Sequence, residues 1–429
     1  MNLLLLISSI LILLVVTFWK RNDFSSPSIF FIAPLTIAII TCFIYQDSWG
    51  FDCSISTYLL LTIGFIAFFA GDEISRLFTT PLEKANDVAY RRIDIGFIKY
   101  IAICSYVGIC TVFVYREVSS AVMALSGAYT MFSTSTKGLD GYTGNILIAN
   151  LFTSCSVIAY LLLAAMISNA IFRVFKKKDL LSIIPIAGYL TQVLLQGQRG
   201  DLINFVISAI FFTLIFRYKR EGGGPRKSLR FLIGQLKYVI IAIVAFYLLR
   251  IVIAKPGQTS LSFGNVISGY LGASIDLLNR LVEARNIHYL YWGYETFHDL
   301  YSFLEKIGVF HDLPTVRFPY RNYNGLGCNV YTFFKRPFVD FGIGGALIAA
   351  LLCGSVFGYF YYKNVHVRNA TGKYLFHAVL FGYFANKIAL SFFDDYMTIL
   401  LSMNTLIKIV FMIIFYNILY KKIYINIRK

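Results

Sequence analysis

Apolar residues dominate this chain in long runs, at 3–18, 28–45, 56–71, 95–115, 144–169, 180–197, 201–218, 232–254, 340–362, 374–393 and 397–420. Each approaches the roughly 20 apolar residues that a bilayer-spanning helix needs. The pattern predicts an all-α polytopic membrane protein with about 11 transmembrane helices. Polar positions gather between the runs and in one long interval, 255–339. Within that interval Leu271, Ile275, Leu278 and Val282 recur at helical spacing over 270–286, and Phe297, Leu300, Tyr301, Leu304 and Ile307 over 295–310. Both stretches predict amphipathic helices lying on the outer surface or packing on the bundle. The chain therefore divides into helices one to eight (1–254), a large loop (255–339), and helices nine to eleven with a short tail (340–429).

Composition agrees with lipid as the main solvent. Hydrophobic residues make up 58% of the 429 and charged residues 14%, against about a quarter charged in soluble domains. The first run is not a cleaved signal peptide, because Lys20 and Arg21 follow it and no small-x-small site does. Those charges place the N-terminus outside. Alternation then assigns 22 Lys and Arg to the inner segments and three to the short outer ones, a positive-inside asymmetry that puts the C-terminus in the cytoplasm. The net charge of +17 thus belongs to short loops facing anionic headgroups, which argues against nucleic acid as a partner. The seven cysteines form no CxxC pair, and only Cys53 and Cys328, both outside, leave a disulfide open.

Candidate chemistry concentrates near the end of the loop. Residues 313–339 carry Arg317, Arg321, Lys335 and Arg336 without a carboxylate, interleaved with Phe318, Tyr320, Tyr323, Tyr331, Phe333 and Phe334. Cations answer phosphate and aromatic faces suit sugar rings; an interfacial loop with an aromatic belt has the same composition. Arg199, in the tight turn GQRGD at 197–201, stands where a helix begins and is a phosphate seat or half of an Arg199–Asp201 pair. Arg250, one turn inside its span, faces a cavity or snorkels. Lys387 is seven residues before Asp394, which favours an ion pair, and Lys408 falls near mid-membrane with no partner in view. Asp340 opens the ninth span as a helix-dipole charge or a general base. His298 and His311 are alternative proton acceptors, with Asp299, Asp312 and His288 nearby. Gly354 and Gly358 form a GxxxG packing feature. HExxH, Walker, GxSxG and clustered metal-ligand patterns are all absent from the sequence, so no metal or other cofactor is expected.

The segment NVYTFFKRPFVDFGIGGALIAALLCGSVFGYFYYK (329–363) and the turn GQRGD (197–201) resemble, respectively, the stretch after the large periplasmic loop and the Gly-Arg-Gly turn of Wzy-type O-antigen, or oligosaccharide repeat-unit, polymerases. The resemblance implies a GT-C-like architecture in the bacterial inner membrane, with a periplasmic N-terminus and a periplasmic loop. It also implies metal-independent transfer of a glycan from undecaprenyl diphosphate to a fresh lipid-linked repeat unit. Arg199 is assigned to the diphosphate by match to the turn; Arg250, Arg317, Arg321 and Arg336 join it by charge and position. Asn329, Tyr331 and Thr332 match the motif and, with Tyr323, are glycan-contact candidates, although polar side chains there equally cap the turn into the ninth span. Asp340 lies in the matching motif, with His298 and His311 as the other candidate bases. A chain-length regulator is a further candidate partner. Another lipid-linked glycan transferase, such as an O-antigen ligase, fits the same features. A flippase or transporter is the rival of another class, and would be expected to show paired halves and broken helices at the midplane.

Overall fold

The structure is a computed structural model and describes residues 1–21, 23–79, 90–124, 145–221, 262–284, 291–311, 313, 320–365, 367 and 369–420. Among the described residues, ten helices are long and apolar enough to cross a membrane, which makes this a multi-pass, essentially all-α membrane protein. The predicted eighth span, 232–254, lies outside the described residues. The main helices are α1 (Asn2–Trp19), α2 (Pro27–Ile44), α3 (Ile55–Phe78), α4 (Phe97–Ala124), α5 (Ile146–Ile171), α6 (Ile183–Leu195) and α7 (Arg199–Glu221). They continue with α8 (Phe263–Ala284), α9 (His298–Lys306), α10 (Lys335–Phe360), α11 (Gly372–Phe384) and α12 (Met403–Tyr420). Among the described residues, one hairpin pairs β1 (Arg321–Tyr323) antiparallel with β2 (Leu326–Cys328). On α1, Leu3, Leu11, Leu14, Val15 and Phe18 are exposed, as a lipid-facing surface should be.

Hydrogen bonds sort the helix ends into two sets. At one end Asn2 Nδ2 donates to Gln46 Oε1 at 2.7 Å, Asn279 Nδ2 to the Asp52 carbonyl at 2.8 Å, and the Phe333 N–H to the Ser391 carbonyl at 2.8 Å. At the other, Lys20 Nζ meets Asp72 Oδ2 at 2.7 Å and Tyr362 Oη at 2.7 Å, Tyr90 Oη donates to Asn169 Oδ1 at 2.6 Å, and Tyr416 Oη to the Gly372 carbonyl at 3.0 Å. Along the described chain α1, α2 and α3 therefore run in alternating directions, and so do α10, α11 and α12. The set containing Lys20 is called the basic end here, and the other the loop end. α10 packs closely on α3, because a Cβ on Gly354 would sit 2.1 Å from the Phe68 carbonyl oxygen. The expected packing role of Gly354 thus holds.

Several elements depart from the sequence pattern, each for a visible reason. α8 begins seven residues before the predicted 270, and Gly272 through Asn279 are buried all round, wedged between α2 and the loop that follows. Its partner helix is shorter than 295–310. Gly308 (φ 79) ends it, with Gly308 N–H donating to the Glu305 carbonyl and Val309 N–H to the Leu304 carbonyl, a Schellman closure. Leu300 and Ile307 of that segment are exposed rather than packed. α10 starts at Lys335 rather than at 340, so Asp340 is inside the helix, two residues before a break at Gly342 (φ 68, ψ −164). Pro185 sits in the first turn of α6 after the 3₁₀ turn Lys177–Ser182, where a helix tolerates proline. The tenth predicted run is discontinuous: α11 stops at Phe384, and the chain continues as the short turn Asn386–Ala389 and 3₁₀ segments to Leu401. All seven cysteines are free, Cys53 and Cys328 included.

Candidate functional site

The loop end is organised around one buried acid. Asn324 (φ 51) and Gly325 (φ 90) turn the β1–β2 hairpin, the conformation an Asn-Gly pair adopts readily. The hairpin then docks on α8 through Asp276. This carboxylate accepts from Tyr323 Oη at 2.6 Å, Arg321 Nη1 at 2.7 Å and Arg280 Nε at 3.0 Å. Arg321 Nη2 also reaches the Trp49 carbonyl at 2.5 Å. Burial pushes the Asp276 carboxyl above its ordinary range, and its donors Tyr323 and Arg280 pull it back. Arg321 and Tyr323, expected at diphosphate and glycan, are thus committed to a structural clamp. Their partners come from helix α8 and the turn at 46–53, which are far away in sequence.

The junction from hairpin to α10 divides by burial. Asn329 is exposed, whereas Tyr331 and Thr332 are buried, with Thr332 Oγ1 accepting the Phe334 N–H at 3.3 Å. Of the three motif residues, Asn329 alone has the exposure a glycan contact needs. Phe333 and Phe334 anchor the junction against Phe31. The first turn of α10 then delivers two cations. Lys335 is buried with Nζ 5.1 Å from the Tyr331 ring centroid. Arg336 Nε lies 3.9 Å from Asp395 Oδ2 and has no hydrogen-bond partner among the described residues. Asp395 is fully buried and accepts from Thr398 N–H at 3.2 Å and Thr398 Oγ1 at 2.6 Å. Burial pushes its carboxyl up to about 6, against the opposing pull of Arg336.

Asp340 is neither the start of a helix nor a free carboxylate. Its oxygens accept the N–H groups of Glu295 at 3.1 Å and Thr296 at 2.6 Å, which fixes the turn leading into α9. His298 follows on that turn, half-exposed, with Nδ1 3.7 Å from Asp299 Oδ1. His311 is exposed at the end of the segment. The structure therefore brings Asp340 and His298 to one turn, and leaves His311 apart from the clamp on that turn. Arg199 opens α7 just after Gly197 (φ 63), as a helix-terminal seat requires. Arg250 and Arg317, with His288 and Asp312, lie outside the described residues.

A second polar group runs down inside the bundle from the same end. Asp201 Oδ1 accepts from Asn204 Nδ2 at 3.2 Å, and Asn386 Nδ2 donates to the Asn204 carbonyl at 3.4 Å and to Ser208 Oγ at 3.3 Å. Tyr160 and Tyr383 pack edge to face beside it, centroids 4.6 Å apart. Lys387 makes no ion pair with Asp394 or Asp395, contrary to expectation; its Nζ sits 4.5 Å from the Tyr396 ring centroid. The unwound backbone of 390–401 carries the two aspartates off the face that a continuous helix would have shared. Lys408 is shallower than expected, since its helix begins at Met403. Sequence reading missed Asp276, Asn204 and Asn386. The signal for the two asparagines was present, as amides inside otherwise apolar runs.

Compared with protein-family models, curated proteins and solved structures, the chain has no significant match.

Proposed function

We propose that the protein is a polysaccharide polymerase of the inner membrane, with its loop end in the periplasm. It would join oligosaccharide repeat units carried on undecaprenyl diphosphate into O-antigen or a similar surface polysaccharide. The observation that carries the reading is Arg336. It is a cation in the motif-like segment, at the start of α10, whose Nε has no hydrogen-bond partner among the described residues and lies 3.9 Å from the buried Asp395. Such a donor suits charge that develops on a leaving diphosphate. In this reading the bond from the anomeric carbon to the diphosphate oxygen breaks, and the acceptor hydroxyl oxygen takes its place. The hydroxyl proton passes to His298. Asp340 is a positioning residue, because both of its oxygens already hold the turn that carries His298. Arg199, at the start of α7, also serves the diphosphate, and Asn329 meets the glycan.

The discontinuous tenth span favours a second reading, a lipid-linked oligosaccharide flippase, since broken helices are a transporter feature. One experiment separates the two. The gene is deleted in its own host, and wild type, Arg336→Ala, Arg199→Ala, Arg250→Ala and His298→Ala are returned at verified expression. Collapse of the polysaccharide ladder to core plus one repeat unit supports the polymerase. Loss of every repeat-bearing band rejects it in favour of a flippase or ligase.

A further inference from the structure

Arg336 and Asp395 meet on two segments that are fixed to each other. The Phe333 N–H donates to the Ser391 carbonyl at 2.8 Å, three residues before Arg336 and four before Asp395. Asp395 belongs to the interruption after α11, where the Phe393 N–H donates to the Leu390 carbonyl and the Tyr396 N–H to the Asp394 carbonyl, both at 2.9 Å. Thr398 then holds both carboxylate oxygens, Oδ1 through its N–H at 3.2 Å and Oδ2 through Oγ1 at 2.6 Å. The carboxylate is thus not free to turn toward the arginine. Arg336 Nε stops 3.9 Å from Oδ2, about 1 Å beyond a charge-assisted hydrogen bond.

Capping of the 3₁₀ turn Thr398–Leu401 accounts for the Thr398 contacts but not for the burial. Asp395 is 0% exposed, and the one cation within ion-pair distance of it among the described residues falls short of a hydrogen bond. A carboxylate shut away from water needs either a cation or a proton. Arg336 supplies the first, and in the polymerase reading that same charge is offered to the diphosphate. Once an anion engages it, Asp395 loses its compensation, and a nearby anion favours the protonated form of a carboxyl.

We propose that Asp395 is a positioning residue that shares Arg336 with the diphosphate: it balances the guanidinium when no anion is bound, and takes up a proton from solvent when a diphosphate binds. This role rests on the proposed reading of Arg336 as a diphosphate residue. Other ionisable groups near the pair are Lys335 beside Arg336, Asp394 beside Asp395, and Tyr270 of α8, which stacks on Phe393. Glu295 bears on Lys335 from the turn before α9, and the Asp395 charge bears on Cys353 of α10.

Burial pushes the Asp395 carboxyl up to about 6, with Arg336 pulling it back. A bound diphosphate raises it further, so the bound state holds the proton more tightly. Affinity is then greatest below about pH 6, and falls as the pH rises until the carboxyl ionises in the bound state as well.

The test uses the full chain in nanodiscs of zwitterionic phosphatidylcholine, with farnesyl diphosphoglucose as the probe. This diphosphate diester lacks the ionisation near pH 6 of a phosphate monoester, so a pH effect belongs to the protein. Calorimetric titration in buffers of different ionisation enthalpy reads affinity and proton uptake together. Wild type should bind about tenfold more weakly at about pH 8 than at about pH 5, as a one-unit rise in the carboxyl requires, with a fraction of a proton taken up between them. Asp395→Asn should keep the tighter affinity at both pH values and take up none. Thr398→Val removes one donor from the ionised carboxylate and should move the fall to higher pH, which a merely structural role would not do. Arg336→Ala should weaken binding at both pH values and abolish the pH dependence. No proton uptake by wild type, or a fall with pH that survives in Asp395→Asn, overturns the role of Asp395; Arg336 remains the seat if Arg336→Ala still weakens binding. Loss of binding by Asp395→Asn at both pH values also overturns it, by making the acid structural. Binding that Arg336→Ala leaves unchanged, or none by wild type, rejects the seat itself.

Discussion

The two ends of the bundle use cations in opposite ways. At the basic end, Lys20 is buried between Asp72 and Glu73 and donates to Tyr362. Arg92 bridges Asp94 at 2.9 Å and Asp179 at 2.7 Å. Lys219, fully buried, donates to the carbonyls of Asn364, Val367 and Asn369 at 3.2, 2.6 and 2.9 Å. These cations tie distant helix ends together. At the loop end Arg321 is similarly tied, but Arg336 only approaches Asp395, at 3.9 Å, and Lys387 has no carboxylate within ion-pair distance among the described residues. A desolvated cation needs compensation from somewhere. At the basic end the chain supplies it within hydrogen-bond distance; at the loop end, in the proposed reading, a ligand does. Counting Lys and Arg by side sets an expected orientation, yet does not separate a strut from a binding group.

The contrast is broken most severely at Lys20. Lys20→Met leaves Asp72 as a buried carboxylate without its cation, with Ser26 and Ser28 as its remaining donors. Removing one member of a buried pair costs about 3–5 kcal/mol, read as a lower denaturation midpoint in detergent. An unchanged midpoint would mean that the basic end is no better locked than the loop end. Next comes Asp395, the acid that Arg336 approaches but does not bond. Its folded-state pKa of about 6 exceeds the ordinary 3.8, so the folded state binds the proton more tightly. The penalty of ionising it is absent below about pH 4, grows as the pH rises, and is complete above about pH 6. Stability should fall across that window by roughly 2–3 kcal/mol, and Asp395→Asn should flatten the profile of melting temperature against pH. Smaller again is Gly354→Ala. Its Cβ would meet the Phe68 carbonyl at 2.1 Å, and overpacking of this kind costs about 1–3 kcal/mol. A neutral result would show that α10 slides freely on α3.

How much of this was legible follows from the range of each signal. The spans are local, continuous apolar runs, and ten of the eleven predicted appear as helices among the described residues, the eleventh lying outside them. The packing role of Gly354 was legible for the same reason, since small residues four apart share a helix face. Partners were not. Nothing near Arg321 announces Asp276, 45 residues away, and nothing near Lys219 announces carbonyls about 150 residues on. Arg321 and Arg336 therefore looked alike in the sequence, two cations in an acid-free stretch, and only the fold separates them. The break after Phe384 was also hidden, because residues 374–393 are apolar enough to read as one helix whether or not the backbone is continuous.

The smallest effect on stability is expected at Arg336, where the comparison is sharpest. Arg336 is 19% exposed, and with Asp395 Oδ2 3.9 Å from its Nε and no hydrogen bond from that atom to lose among the described residues, Arg336→Ala should lower the denaturation midpoint by about 1 kcal/mol, the centre of the range for single substitutions. Its effect on polysaccharide length should nonetheless be large. Loss of one preorganised charge-stabilising donor costs on the order of a hundredfold or more in rate. Arg321→Ala should show the reverse pattern. It breaks the Asp276 clamp, so stability falls with activity, and the two losses track one another across temperature. If Arg336→Ala is the destabilised variant and Arg321→Ala the stable, inactive one, the assignment of strut and ligand group at the loop end is inverted, and Asp276 becomes the acid that orients a catalytic arginine.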